Sequence, residues 1–194
     1  MLANSFNFIL HKVYAEVKHT IYIYYNFITG DHAWKLQEDL PNDVTLLGVV
    51  LSLDKTKVSN LAGNHYAYLL LIILANIDPN VCAKGFLQAY IPLTLLPVAK
   101  FIHKVKCMHS VLADQLLHQY IDIVIKSLKQ TAHLGIMMSD SVRFSRYCFM
   151  PLVAYIVNTP EELVIACITM NALPFTMATC TNFGNPDRHP FHKS

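Results

Sequence analysis

Charge is scarce in this 194-residue chain. Lys, Arg, Asp and Glu together make up 14% of it, against about a quarter in an ordinary globular domain. A surface that poor in charge is either small or partly covered. The formal net charge of +2 is too weak to argue for a nucleic-acid partner by itself. The five cysteines (Cys82, Cys107, Cys148, Cys167, Cys180) are an odd number with no C-x-x-C pair. The opening "MLANSFNFILHK" has no basic start followed by an apolar block and a small-residue cleavage site. A disulfide framework is therefore not expected, and a reducing location, nuclear or cytoplasmic rather than secreted, is. The longest apolar run, "AYLLLIILA" (67–75), is about half of the ~20 residues that a membrane helix needs. No membrane partner is expected. The ten histidines are scattered, and surface or helix-end places suit most of them. What the chain does have is 54% hydrophobic residues, ample for the core of one domain.

Residues 1–28 mix aromatic and β-branched residues ("TIYIYYNFI") without a clean period. "GDHAWKLQEDL" (30–40) reads as a short helix, with Asp31 near its start and Pro41 beyond its end. "VTLLGVVLSL" (44–53) is a continuous β-branched apolar run, the mark of a strand buried on both faces. "HYAYLLLIILANI" (65–77) is a second, and "AGN" (62–64) supplies an antiparallel turn between them. "FLQAYIPLTLLPVA" (86–99) is a third, and its prolines make it short or put it at an edge. The period then changes. In 109–132, Leu112, Leu116, Leu117, Tyr120, Ile121, Val124 and Leu128 form an apolar stripe opposite Asp114, His118 and Lys126, which predicts one amphipathic helix of about twenty residues. "SDSVRFSR" (139–146) reads as a polar turn and "YCFMPLVAYIV" (147–157) as a fourth strand. "NTPEELVIACI" (158–168) opens a helix, with Thr159 as N-cap, Pro160 at its first position, and Glu161 and Glu162 in its first turn. The final residues are polar, with no closing element.

Three strands, a long helix, a fourth strand and a helix is the order of the first two-thirds of an α/β ribonuclease H-like fold. Carboxylates at neighbouring strand ends in that fold hold the metal ions that act at a phosphodiester. Asp54, in "VVLSLDKTKVSN" (49–60), stands where the first would be. A turn-capping role for Asp54 is the plainer alternative.

The linked patterns "SxDKTxxSxxxGN" (52–64), "IVNTPEE" (156–162) and the trailing "FGNPDRHPF" (183–191) resemble the Plavaka-type transposases of mushroom-forming fungi, relatives of the CACTA elements. The likeness runs from about Gly30 to the C-terminus. Residues 1–28 match poorly, and an altered reading frame or a mis-set gene boundary would explain them. The resemblance implies a DDE/D-type nuclease core that cuts DNA with two magnesium ions. Its first acidic ligand falls on Asp54. Its second falls on Asn158, which keeps the shape of aspartate but not the charge that magnesium prefers. The third belongs to a later helix that the chain, ending at Ser194, does not reach. A Cys-Pro-x-Cys zinc pair found in many relatives is replaced by Leu173 and Thr176 in "NALPFT". The expectation is a truncated, degenerate transposase remnant without a cofactor of its own, magnesium and DNA being the ancestor's. The core then spans 30–170, after a poorly defined segment 1–29 and before an irregular tail 171–194. An active fragment completed by another chain, or a DNA-binding or self-associating protein, are the alternatives.

Other residues carry blander expectations. Asp140 belongs to a turn, and Cys148 and Cys167 are expected to be core thiols. Cys167, Cys180, His189 and His192 follow no zinc-ligand spacing. Lys55, Lys57, Lys84, Lys100, Lys104 and Lys106 are a weak DNA-facing set that solvated loops explain equally well. Trp34 is expected to pack the first helix onto the sheet.

Overall fold

The computed structural model describes residues 6–15, 21–59, 65–85, 88–102, 105, 107–140, 143–168, 171–174, 176–182 and 189–191. The fold is mixed α/β, as the order of periodic segments predicts. The N-terminal stretch, which has no clear period, forms a small antiparallel ribbon of β1 (Val13–Tyr14) and β2 (Tyr22–Ile23). Tyrosine packing holds this ribbon, with Tyr14 and Tyr22 edge-to-face at 5.4 Å. A 3-10 turn at Phe27–Thr29 follows, where Asn26 and Thr29 cap each other reciprocally. α1 (Asp31–Glu38) then lies where the sequence places it. Trp34 is half-buried, with the Lys12 ammonium 5.3 Å over its ring.

The apolar run at 44–53 is not one strand. It divides into β3 (Thr45–Leu46) and β4 (Val49–Ser59), and β4 runs on well past the apolar residues. Crowding explains the break. A Cβ on Gly48 would lie 2.7 Å from the Phe27 ring and 3.0 Å from Val153. The buried Asn76 side chain also takes over hydrogen bonds that a ladder would otherwise make. Its Oδ1 accepts from the Gly48 N–H at 2.8 Å, and its Nδ2 donates to the carbonyls of Leu46 (2.9 Å) and Asn7 (3.0 Å). Asn76 is 2% exposed, and the Gly48 N–H and Leu46 carbonyl that it serves are buried, so without it those two groups would be stranded away from water.

β5 (His65–Leu74), a short helix α2 (Pro79–Cys82) capped by Asp78, and β6 (Ile91–Pro97) come next. The expected turn at 62–64 lies outside the described residues. The helix expected at 109–132 is two helices, α3 (Cys107–Val124) and α4 (Lys126–Leu134), separated at Ile125. Ile121, Ile123, Val124 and Ile125 crowd β-branched side chains into one turn there, which weakens helix propensity. Gly135 ends α4 with φ +69°, a conformation that favours glycine, and a Cβ there would also meet the Tyr147 ring at 2.8 Å.

The reading of 139–146 as a turn and 147–157 as one strand is corrected in the same region. β7 (Ile136–Ser139) and β8 (Ser145–Phe149) form an antiparallel hairpin, and β9 (Leu152–Val157) starts afresh after Met150 and Pro151. Pro151 has no N–H to give a ladder, but its carbonyl accepts from Val49 N at 2.9 Å. Asp140 does hold a turn: its Oδ1 accepts from the Phe144 N–H at 2.9 Å, and Arg146 lies 3.5 Å from its other oxygen. α5 (Thr159–Ile165) follows β9. The tail, where no element is expected, carries a 3-10 turn at Cys180–Asn182 and bridges joining Ala172 to Thr179 and Thr176 to Phe191.

The strands form two further sheets, ordered β3-β8-β7 and β6-β5-β4-β9. β6 is an edge strand, as Pro92 and Pro97 require. β3 and β8 pair in parallel, Thr45 opposite Cys148 and Leu46 opposite Phe149. The same ascending register continues through Leu47 N to Phe149 O and Val49 N to Pro151 O. β9 therefore enters the larger sheet beside β4 and runs in the same direction.

The chain divides into two compact units. The first comprises Met1–Ser52, Leu70–Thr94 and Ile123–Tyr155, with a core that includes Ile28, Leu46, Val49, Leu51, Leu70, Ile73 and Phe149. The second comprises Leu53–Leu69, Leu95–Asp122 and Ile156–Ser194, and buries Leu53, Ala67, Leu96, Leu117, Leu163 and Ala178. Among the described residues no helix is long and apolar enough to cross a membrane. Replacing Asn76 by Ala removes three hydrogen bonds at the strand break and leaves buried backbone groups unpaired. A loss of about 2–4 kcal/mol is expected in urea unfolding, and a loss under about 0.5 kcal/mol would show that the break does not rely on this side chain.

Candidate functional site

β4 is buried on alternate positions through Val49, Leu51 and Leu53, and then leaves the core. Asp54, Lys55, Lys57 and Val58 are all exposed. Asp54 is thus the first residue beyond the buried part of the strand, on the face opposite Leu53. Asn158 directly follows β9, the parallel neighbour of β4. Parallel strands carry their C-terminal ends on the same side, so the two residues meet. The Asn158 Nδ2 donates to Asp54 Oδ1 at 3.0 Å.

Asn158 also begins α5. The N-cap is Asn158 rather than Thr159, its carbonyl accepting from Glu162 N at 2.9 Å. Its side chain makes no capping hydrogen bond. Asparagine is among the best N-cap residues because its side-chain oxygen can accept from the first turn. Here the amide is turned to the carboxylate instead. Pro160 and the acidic first turn sustain the helix start without it.

The rest of the second unit adds ionisable groups around α5. Glu161 is buried although it carries a carboxylate. Burial pushes the Tyr68 hydroxyl up from its ordinary range, and the charges of Glu161 and Asp114 add to the shift. Burial likewise pushes the Asp114 carboxyl up, while His118 opposes the shift. His118 Nε2 lies 3.0 Å from the Val164 carbonyl and 3.5 Å from Cys167 Sγ. Cys167 is therefore not the core thiol the apolar run suggests. It follows the C-cap of α5 in a left-handed conformation, φ +55°, and is exposed. Cys148 is buried, as expected, and burial pushes its thiol up. The Lys55 ammonium sits 5.7 Å from the ring centres of both Tyr66 and Tyr68.

Asp114 and His118 show in the sequence as an i, i+4 pair on one helix face. Nothing local in the sequence signals that His118 meets Cys167 across 49 residues. Of the tail's candidate zinc ligands, Cys167 and His189 are described, whereas the Cys180 side chain and His192 lie outside the described residues, as do Lys104 and Lys106. No cluster of three or more His, Cys, Asp or Glu with metal-binding geometry occurs among the described residues.

A family model described as Plavaka transposase matches residues 1–194. The chain belongs to the Plavaka transposase family. The match takes in residues 1–28, which the sequence resemblance leaves aside. No curated protein and no solved structure matches the chain. Membership makes this a transposase-derived protein, and the family's chemistry implies a metal ion and DNA in the ancestor.

The donor set can be tested against that metal. Two magnesium ions need several anionic oxygens, whereas among the described residues this strand end pairs one carboxylate, Asp54, with an amide N–H already directed at it. The pair does not fit a two-magnesium centre. Asn158→Asp would replace the donor with a second carboxylate about 3 Å from the first, a repulsive pair that a divalent cation relieves. Millimolar manganese should raise the Tm of Asn158→Asp by several degrees more than that of the unmodified protein. An equal response in both would mean that position 158 does not face a cation site.

Proposed function

We propose that this chain is a transposase-derived protein on a ribonuclease H-like sheet that no longer performs metal-dependent DNA cleavage. One observation carries the proposal: the side chain that would be the second acidic ligand is an amide, and it donates to the first, Asp54. The carboxylate oxygen that should face a cation faces an N–H instead.

The sheet supports the fold part of the reading. Among the strands of the larger sheet, β4, β5, β6 and β9 come first, second, third and fourth along the chain. Their spatial order is third, second, first, fourth, with α3 and α4 between the third and the fourth. That order makes the ends of the first and fourth strands neighbours, where a ribonuclease H-like nuclease keeps its first two carboxylates. We take residues 30–170 as the core and 171–194 as an irregular tail.

A role in self-association is a second reading with its own observation. β9 ends the order of its sheet, and Leu152 and Ile156 on it are 51% and 50% exposed. An apolar edge strand invites pairing with another chain. The purified protein should then scatter light as a species larger than its 22.0 kDa protomer.

The decisive experiment is nicking of supercoiled plasmid in magnesium or manganese. No conversion above the level of Asp54→Ala is expected, and Asn158→Asp alone should stay inactive. Cleavage by the unmodified chain that disappears in Asp54→Ala would overturn the proposal.

A further inference from the structure

Loss of cleavage does not remove the surface at the end of β4, and one lysine there is held between aromatic rings, unlike Lys57, Lys84 and Lys100. Lys55 is the residue after Asp54 and points to the opposite face of β4. Its ammonium lies 5.7 Å from the ring centres of both Tyr66 and Tyr68 on β5. Tyr68 is half-buried and Tyr66 is 43% exposed. Two rings around one ammonium restrict a side chain that is otherwise flexible, and they do so without neutralising its charge. Among the described residues Lys55 has no carboxylate within ion-pair distance. A fixed, unpaired cation on an exposed strand end is suited to an anion that arrives from solution.

We infer that Lys55 is a DNA-positioning residue, its ammonium held by Tyr66 and Tyr68 to take a backbone phosphate at this strand end, on the face of β4 opposite Asp54. The inference rests on the reading of this strand end as a former transposase site, which supplies DNA as the polyanion. Lys57 is exposed two residues further along the same face and extends the positive stripe. The carboxylates on the inner side are Glu161, which is buried, and Asp114, whose carboxyl burial pushes up. Both lie close enough to Tyr68 to raise its hydroxyl. A purely structural Lys55 would serve to offset those two acids, and the two roles separate by measurement.

The test is fluorescence anisotropy with a labelled DNA duplex over a range of salt concentrations, using the full chain. Lys55→Gln should weaken binding about three- to tenfold at low salt, equally for unrelated sequences, and lower the salt slope by about one. Tyr66→Leu should weaken binding while largely keeping the slope, because the charge remains but is no longer held. Tyr66→Phe, which keeps the ring, should bind like the unmodified protein. Lys126→Gln, an exposed change on α4, should leave both affinity and slope alone. If Lys55→Gln lowers the Tm but keeps the affinity and slope, the lysine is structural and the inference fails. It fails also if the unmodified chain does not bind DNA. Plasmid cleavage by the unmodified chain would overturn the non-cleaving proposal and leave this one standing, so the two fail separately.

Discussion

Everything distinctive about this molecule depends on one register, the parallel run of residues 45–49 beside 148–151. It begins with Thr45 opposite Cys148 in the smaller sheet and continues where Val49 N meets Pro151 O. Two breaks fall at matching places, Gly48 on one side and Met150 with Pro151 on the other. They let the chain pass from one sheet to the next without losing alignment. Asn76 satisfies the backbone on the Gly48 side, and the carbonyl of Pro151 accepts from Val49 N on the other. A slip of one residue would turn Leu51 and Leu53 out of the core, so burial fixes the register firmly.

The site follows from that alignment. Parallel neighbours of matched register end together, which brings Asp54 and Asn158 to 3.0 Å. Two carboxylates in that position would repel each other and require a cation, so the fold and the metal would be linked. An amide removes the repulsion and replaces the cation's role with a hydrogen bond to a charged acceptor, among the stronger kinds. The strand ends then stay together with no ion. An amide in this position supplies less anionic density than a carboxylate, the property that a two-metal mechanism needs.

Much of this was legible in the residues, and the exceptions have physical causes. The β-branched runs, the 3.6-residue stripe before Leu128 and the Pro-Glu-Glu helix start report local preference directly, and the elements lie near where those signals put them. Breaks inside apolar runs were not legible. Gly48 interrupts a strand because Phe27 and Asn76, far away in sequence, crowd and bond its backbone. The hairpin at 136–149 was hidden because "IMMS" is exposed throughout and shows no alternation to read. Asp54 and Asn158 could be singled out from motif resemblance, but not the direction of the hydrogen bond between them. Nor was it legible that Asn158, and not Thr159, is the N-cap, its carbonyl accepting from Glu162 N. Cys167 looked like a core thiol because its neighbours are apolar, yet it follows the helix end in a left-handed turn, where the chain leaves the core.

The central claim is that Asp54 and Asn158 are coupled to each other and not through a metal. A double-mutant cycle of Asp54→Ala and Asn158→Ala, read by chemical unfolding, measures that coupling. The account predicts about 0.5–1 kcal/mol of favourable interaction for an exposed charge-assisted hydrogen bond, unchanged by millimolar magnesium. Coupling near zero in the absence of metal, or coupling that appears only when magnesium is added, would contradict it.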